Sequence, residues 1–445
     1  MKRVLLIAFV SIVFALVVGC GGSSSTPPFQ ATGTSTTVQF GDALDSRVVK
    51  FEMTISAITL TGVSPTATTG NLLARPAEFE FVHTAGTMEP LTLANVPPGT
   101  YNGATITVGA NAELVVVNGT TPTKVPAPVS PTNVSVTFAN ITVGTTPLFI
   151  NFDLDLAGSL TLTGSPNITA ATVSPKFSVT SSTTPPAGGE GNEDDNNGEI
   201  EDVHGKVSAI TAPNFTIDTG STSIVFATDS NTKFKDGITQ LSDLKVGDIV
   251  EVDGVTKSDG TKLATKVERE GSSSGKEADG VISAVTGSPA TAITIVHQHD
   301  SDDAAGAPTT VDITINSSTV FSVRSDKLSV TGTFDATHIG KGQRVEADAS
   351  ANATPLVATK LKLREQGIVG TVASSPAPTA SAFTLTIDPA SAFGKLSGAT
   401  SVAVTVPSGA TLKTAPTSGA TLLVRGLVFV NGTTYTMTAT RGDHN

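Results

Sequence analysis

An all-β chain, one antiparallel β-sandwich followed by three tandem small barrel-like β domains, is what the sequence predicts, and three observations predict it. Apolar and polar residues alternate with period two in successive short runs, and turn signals such as "VNGTT" at 117–121 separate them. No stretch of ten or more residues carries a 3.6-residue period. From residue 203 onward one pattern is written three times, with "GKVSAI", "GVISAV" and "GTVASS" opening at Gly205, Gly280 and Gly370. Each opening leads to an apolar strand ("NFTID", "AITIV", "AFTLTID"), then a polar turn, and then "LKVGDIVEVDG", "IGKGQRVEADA" or "TSGATLLVRG". A spacing of 75 to 90 residues is too long for a solenoid repeat and suits tandem small domains.

The chain begins with Lys2 and Arg3 ahead of an almost unbroken apolar run at 4–18, the pattern of a secretory signal. The run is shorter than the roughly 20 residues of a membrane-spanning helix. It ends in "LVVGC", which holds Cys20, the sole cysteine, followed by Gly21, Gly22 and a Ser/Thr/Pro stretch. This resembles the lipobox of bacterial lipoproteins. The resemblance implies removal of residues 1–19, a diacylglycerol on the Cys20 thiol and a flexible tether at 20–36. Two acyl chains on one residue anchor stably where one does not. The exported part then has no thiol and no disulfide, although export permits them. Gly21 after the anchor resembles outer-membrane sorting, so the expected location is an exported, membrane-anchored lipoprotein at the outer membrane or cell surface.

The sandwich is read at 37–180. In "VVKFEMTISAITL", Val49, Phe51, Met53 and Ile55 share one side and Lys50, Glu52, Thr54 and Ser56 the other. Ile58 and Leu60 resume in the opposite phase, which predicts a bulge near Ser56 and Ala57. Further strands are "EFEFV" with Phe79 and Phe81, "NVSVTFANI" with Val134, Val136 and Phe138, and "PLFINFDLDLAG" with Leu148, Ile150, Phe152, Leu154 and Leu156. Together "FGDALDSRVVKFEMTISAITLTG" and "PLTLANVPPGTYNGATITV" resemble an uncharacterised bacterial lipoprotein domain, although Leu44 stands where its members carry Pro after Asp-Ala.

Residues 181–202 read as an acidic linker, and the repeats as barrels at 203–270, 278–365 and 366–445. In the first, Val250 and Val252 are expected inward and Glu251 and Asp253 outward. Asp259-Gly260 and Asn431-Gly432 mark hairpins. An oligonucleotide/oligosaccharide-binding-like barrel of five strands is the expectation. The repeats resemble a second uncharacterised family of exported bacterial proteins, most closely through "DLKVGDIVEVDG". The four domains are expected to form a beaded rod.

The formal net charge is −12, and removing Lys2 and Arg3 from 27 basic residues leaves 25 against 39 acidic ones. That excludes a nucleic-acid partner, whose phosphates demand Lys and Arg clusters. Trp is absent and Tyr occurs twice, so the aromatic platforms used for sugars and single-stranded nucleic acid are missing. No nucleophile elbow, zinc-protease motif or phosphate loop is present. "HQHDSDD" places His297 and His299 two apart on a strand, beside Asp300, Asp302 and Asp303, a set able to share a zinc, copper or nickel ion. A solvated hairpin tip is the competing reading. "EGNEDDNNGEIED" opens like a calcium loop at Glu193, Asp195 and Asn197 but has His204 where the closing Glu is required. Arg441-Gly442-Asp443 is a coincidental tripeptide. The expectation is a non-enzymatic, cofactor-free envelope lipoprotein, held to the membrane by its N-terminal lipid, with a structural or partner-binding role toward an envelope protein or polysaccharide. The alternative is a metal- or carbohydrate-binding accessory of an envelope enzyme system.

Overall fold

The computed structural model describes residues 33–444 apart from 74, 86–87, 183–198, 220–222, 258, 272–274, 300–308, 324–331 and 351–354. Cys20, the segment before it expected to be removed, most of the expected tether, the acidic stretch with its calcium-like spacing, and Asp300, Asp302 and Asp303 lie outside the described residues. The fold is nearly all β, a sandwich followed by three small closed barrels.

Alternation builds the sandwich. One sheet orders Phe177–Ser182, Leu148–Asp155, Thr34–Ala43 and Met88–Val96; the other orders Thr121–Val125, Glu113–Asn118, Val48–Gly62, Gly99–Val108 and Asn133–Val143, with Ala77–Glu80 also pairing Val48–Gly62. Thr34–Ala43 and Leu148–Asp155 run parallel, the one departure from antiparallel pairing between the strands of these two sheets. Strand therefore begins inside the segment read as tether. Phe40 sits among four rings, stacked on Phe152 at 5.3 Å and edge-on to Phe177 at 5.8 Å, with Phe79 and Phe81 beside them. Pro97 to Tyr101 turns the chain between two strands, and the buried Tyr101 closes the turn with its hydroxyl donating to the Pro97 carbonyl at 2.8 Å.

The expected bulge is present, a register shift between Ile55 and Ala57. A second shift between Val48 and Lys50 was not foreseen. It turns Val49 away from Phe51, Met53 and Ile55 into a separate apolar cluster with Val115, Val117, Val296, Ala392 and Leu396, so Val49 does not share their side.

In the first barrel the five strands are Glu199–Thr211, Asn214–Asp218, Ser223–Ala227, Ile249–Thr256 and Lys262–Gly271. They order third-second-first-fourth-fifth, and a parallel third-to-fifth pairing closes the cylinder. The second barrel repeats this with Gly275–Gly287, Ala290–His299, Thr310–Thr314, Arg344–Ser350 and Leu356–Leu363. The third does so with Gln366–Val372, Ala382–Thr386, Ser401–Thr405, Thr421–Asn431 and Thr434–His444. This is the connectivity of an oligonucleotide/oligosaccharide-binding-type barrel.

The repeated glycines have a steric reason. A Cβ on Gly280 would lie 1.8 Å from the Val296 carbonyl oxygen, and on Gly370 2.9 Å from that of Thr386. Only glycine lets the first strand press so closely on the second. A second set, Gly247, Gly342 and Gly419, has φ of 101°, 86° and 83°, backbone that favours glycine. Their N–H groups donate to Val207, Ile282 and Val372 at the same place in each barrel, seating the turn that enters the fourth strand.

The beaded rod is not what forms, because the sandwich touches all three barrels. Arg75 pairs with Asp218 of the first, Gln298 of the second donates to the Val49 carbonyl, and Arg425 of the third donates to the His83 carbonyl at 2.8 Å. The helix Ala392–Ser397, capped by Ser391 and ended by Gly398 at φ 70°, also reaches the sandwich, with Lys395 donating to the Val117 carbonyl at 2.8 Å.

Candidate functional site

Two neighbouring places gather the buried polar chemistry. The first is a seam between the first and second barrels. Val250, Val252 and Val267 fill the first barrel, so alternation sends Glu251, Asp253, Lys266 and Glu268 outward, as expected. They are not wet, however: Glu251 is 0% exposed and Asp253 5%. The outward residues of the second barrel, Glu346, Lys360, Lys362 and Arg364, meet them.

Lys266 lies 2.6 Å from Glu251 and 3.0 Å from Asp253. Lys362 spans Glu268 at 3.0 Å, Glu346 at 3.1 Å and Glu251 at 3.6 Å. Arg364, fully buried, joins Glu346 at 2.9 Å and Glu251. Lys360 joins Glu268 at 2.8 Å and Asp236. Burial works to raise the Glu268 carboxyl, but the hydrogen bond with Asp236 and the charges of Lys362 and Lys266 outweigh it and hold Glu268 well below the usual range. Asp236 is raised in turn by burial and by that bond. Asp348 is pushed up to about 8 by burial and by Glu346, against the pull of Lys360 and Lys362.

The second place is a crevice of about 60 Å³ where the sandwich, second barrel and third barrel converge, lined among others by Val49, Val281, Gln298, Arg344, Ile368 and Leu396. Arg344 holds Asp279 through two bonds, at 3.0 and 2.9 Å, and donates to the Glu365 carbonyl at 3.2 Å. Gln366 accepts from the Arg344 amide at 2.6 Å and donates to Gly342 at 2.9 Å, tying the third barrel to the second. Gln298 is 1% exposed and gives its side-chain amide to the Val49 carbonyl, which fixes its orientation because a carbonyl can only accept. Its Oε1 has no hydrogen-bond partner among the described residues. Sixty cubic ångströms holds a few water molecules.

Of the metal candidates, His297 lies in Ala290–His299 opposite Gly280, 4% exposed, with its amide donating to the Thr309 carbonyl at 3.2 Å. It is within the sheet rather than at a solvated tip. His299 ends the same strand opposite Asp279. Among the described residues no three His, Cys, Asp or Glu side chains gather as a metal site. The sequence reading missed the seam and the Arg344–Asp279 pair. One signal was available: in "ATKVERE" and "ATKLKLRE", Glu268 and Glu270 stand where the second repeat has Lys362 and Arg364. Glu268 and Lys362, equivalent positions of opposite charge, mark faces that complement each other.

The fold and this seam define a multidomain β-protein of one sandwich and three oligonucleotide/oligosaccharide-binding-type barrels. Residues 204–268, the first barrel with its "DLKVGDIVEVDG", match the model of a family described as Domain of unknown function (DUF5666). No curated protein matches the chain. Among solved structures, the chain resembles one titled "drosophila Unr CSD456" at 13% identity and a TM-score of 0.13, over 55% of this chain and 97% of that one. At that score the likeness carries no argument; the barrel assignment rests on the strand connectivity above.

Proposed function

We propose that this protein is a non-catalytic, lipid-anchored component of the bacterial cell envelope, tethered through Cys20, whose folded body serves a structural or partner-binding role. One observation carries the reading: the ionisable groups buried at the seam join two barrels, while the outward faces of the second and third strands of the first and third barrels stay open. Ser223 and Val225 are exposed there in the first barrel, and Ser401, Ala403 and Thr405 in the third. In the second barrel the Thr294 hydroxyl donates to Asp312 at 2.7 Å. Such faces offer hydroxyl and amide hydrogen bonding without aromatic stacking, which favours a hydroxyl-rich envelope polymer or a protein surface over nucleic acid. The lipobox-like segment supports export and anchoring, with Gly21 favouring the outer membrane.

In cells of the native host, Cys20→Ala removes fatty-acid labelling and moves the protein from the membrane to the soluble fraction. Unchanged labelling overturns the anchor. Crosslinking from Val225 and Thr405 in intact cells captures an envelope polymer or protein; capture of nucleic acid would overturn the partner class.

A further inference from the structure

The seam contains an exchange of partners. Asp348 and Lys360 face each other directly across the fourth and fifth strands of the second barrel. Residues so placed share one face of a sheet and are each other's natural ion-pair partners. In the docked molecule, however, Lys360 has gone to the first barrel, to Glu268 at 2.8 Å and to Asp236. Asp348 Oδ1 is left buried with no hydrogen-bond partner among the described residues. A buried carboxylate oxygen with no hydrogen bond to its cation or to water is costly, and adding a proton removes most of that cost.

We propose that docking of the first barrel against the second is proton-linked: closing the seam draws Lys360 away from Asp348, which takes up a proton, so around neutral pH the seam tightens as pH falls and loosens as it rises.

The groups around Asp348 set the sign. Glu346 on its own strand disfavours its ionised form, and so does Asp236 from the first barrel. Lys360 and Lys362 on the neighbouring strand favour it. Both lysines, however, are drawn to Glu268 across the seam, at 2.8 and 3.0 Å, and Lys362 also to Glu346 at 3.1 Å. Lys266 and Arg364 are engaged with Glu251. Burial and these neighbours raise the docked carboxyl from 3.8 to about 8; on the proposal, separating the barrels returns it to water and to its cross-strand partner Lys360. A group raised in this way supports docking fully below its ordinary value and withdraws that support as pH climbs to about 8. Asp236, also raised by burial and by Glu268, adds a weaker dependence of the same sign.

The test uses the full chain carrying Cys20→Ser, with donor and acceptor dyes on Val225→Cys in the first barrel and Val320→Cys in the second, both side chains being exposed. Energy transfer is followed in urea just sufficient to open the seam. Between pH 6 and 8 Asp348 should make the docking constant fall by up to about tenfold per unit, the limit for one linked proton, with Asp236 adding to the slope. Asp348→Asn, which mimics the protonated acid, should stay docked and keep only the weaker dependence on Asp236. Asp236→Asn/Asp348→Asn should be flat. Asp348→Ser serves if the asparagine variant fails to fold. A wild-type docking constant independent of pH, or an undiminished slope in the Asp348 variants, overturns the proposal.

Discussion

The first and second barrels meet through charge, whereas the second and third meet through hydrocarbon. At the first boundary Glu251, Lys266, Glu268, Glu346, Lys362 and Arg364 are all buried and paired. At the second, Leu427 and Phe429 of the third barrel enter the core of the second beside Phe334 and Ile339, and polar bonds such as that from Gln343 to the Val428 carbonyl at 2.8 Å only fix orientation. The first boundary uses the fourth and fifth strands of both barrels, and the second uses those strands of the third barrel against residues 332–343, just ahead of the second barrel's fourth strand. The difference shows that this face is the docking face of the repeat and that its outward residues choose the partner. Apolar burial supplies net stability. A buried ion pair contributes mainly by penalising wrong partners, because desolvation offsets most of its attraction.

Breaking the hydrocarbon boundary gives the largest effect. Phe429→Ala, which leaves a cavity in the core of the second barrel, should cost about 3–5 kcal/mol. Differential scanning calorimetry should show the second and third barrels destabilised together; a shift confined to the third would mean that Phe429 is not shared. Arg364→Ala should cost a comparable or slightly smaller amount, about 3–5 kcal/mol, because Glu251 and Glu346 then stay buried without it.

The sharper comparison replaces the triad. Glu251→Met/Glu346→Met/Arg364→Leu should be neutral or stabilising by about 1–4 kcal/mol in urea unfolding. Lys362 keeps Glu268 at 3.0 Å in that variant. A loss as large as that of Arg364→Ala would show that the charges themselves hold the seam. The smallest effect belongs to the crevice: Gln298→Leu loses one bond to Val49 but also removes a buried, unpartnered acceptor, so a change within about 1.5 kcal/mol is expected.

Much of the fold was legible. Alternation placed Phe79, Phe81, Ile150, Phe152 and Leu154 in the sandwich core, and the phase change at Ser56 located a bulge. Asn431-Gly432 marked a hairpin in which Asn431 pairs with Thr434 and Gly432 takes φ 60°. Val49 escaped because a second bulge within two residues of it resets the phase, and a short alternating run cannot show where its first residue points. Of the candidate site, His297 could be placed on a strand but not covered, and the Gln298 carbonyl gave no local signal at all.

The sequence by itself determined what turns and what alternates: the glycines that admit close strands or left-handed backbone, the inward valines of each barrel, and the threefold repetition. These are local consequences of sterics and of a two-residue period, which tells each side chain which face of its own sheet it takes. Only the tertiary structure decided what lies beyond that face. Glu251 points outward just as alternation requires, yet a second barrel lies against it. Whether an outward carboxylate meets water, Lys362 or Arg364 depends on residues about a hundred positions away, and no local period carries that information.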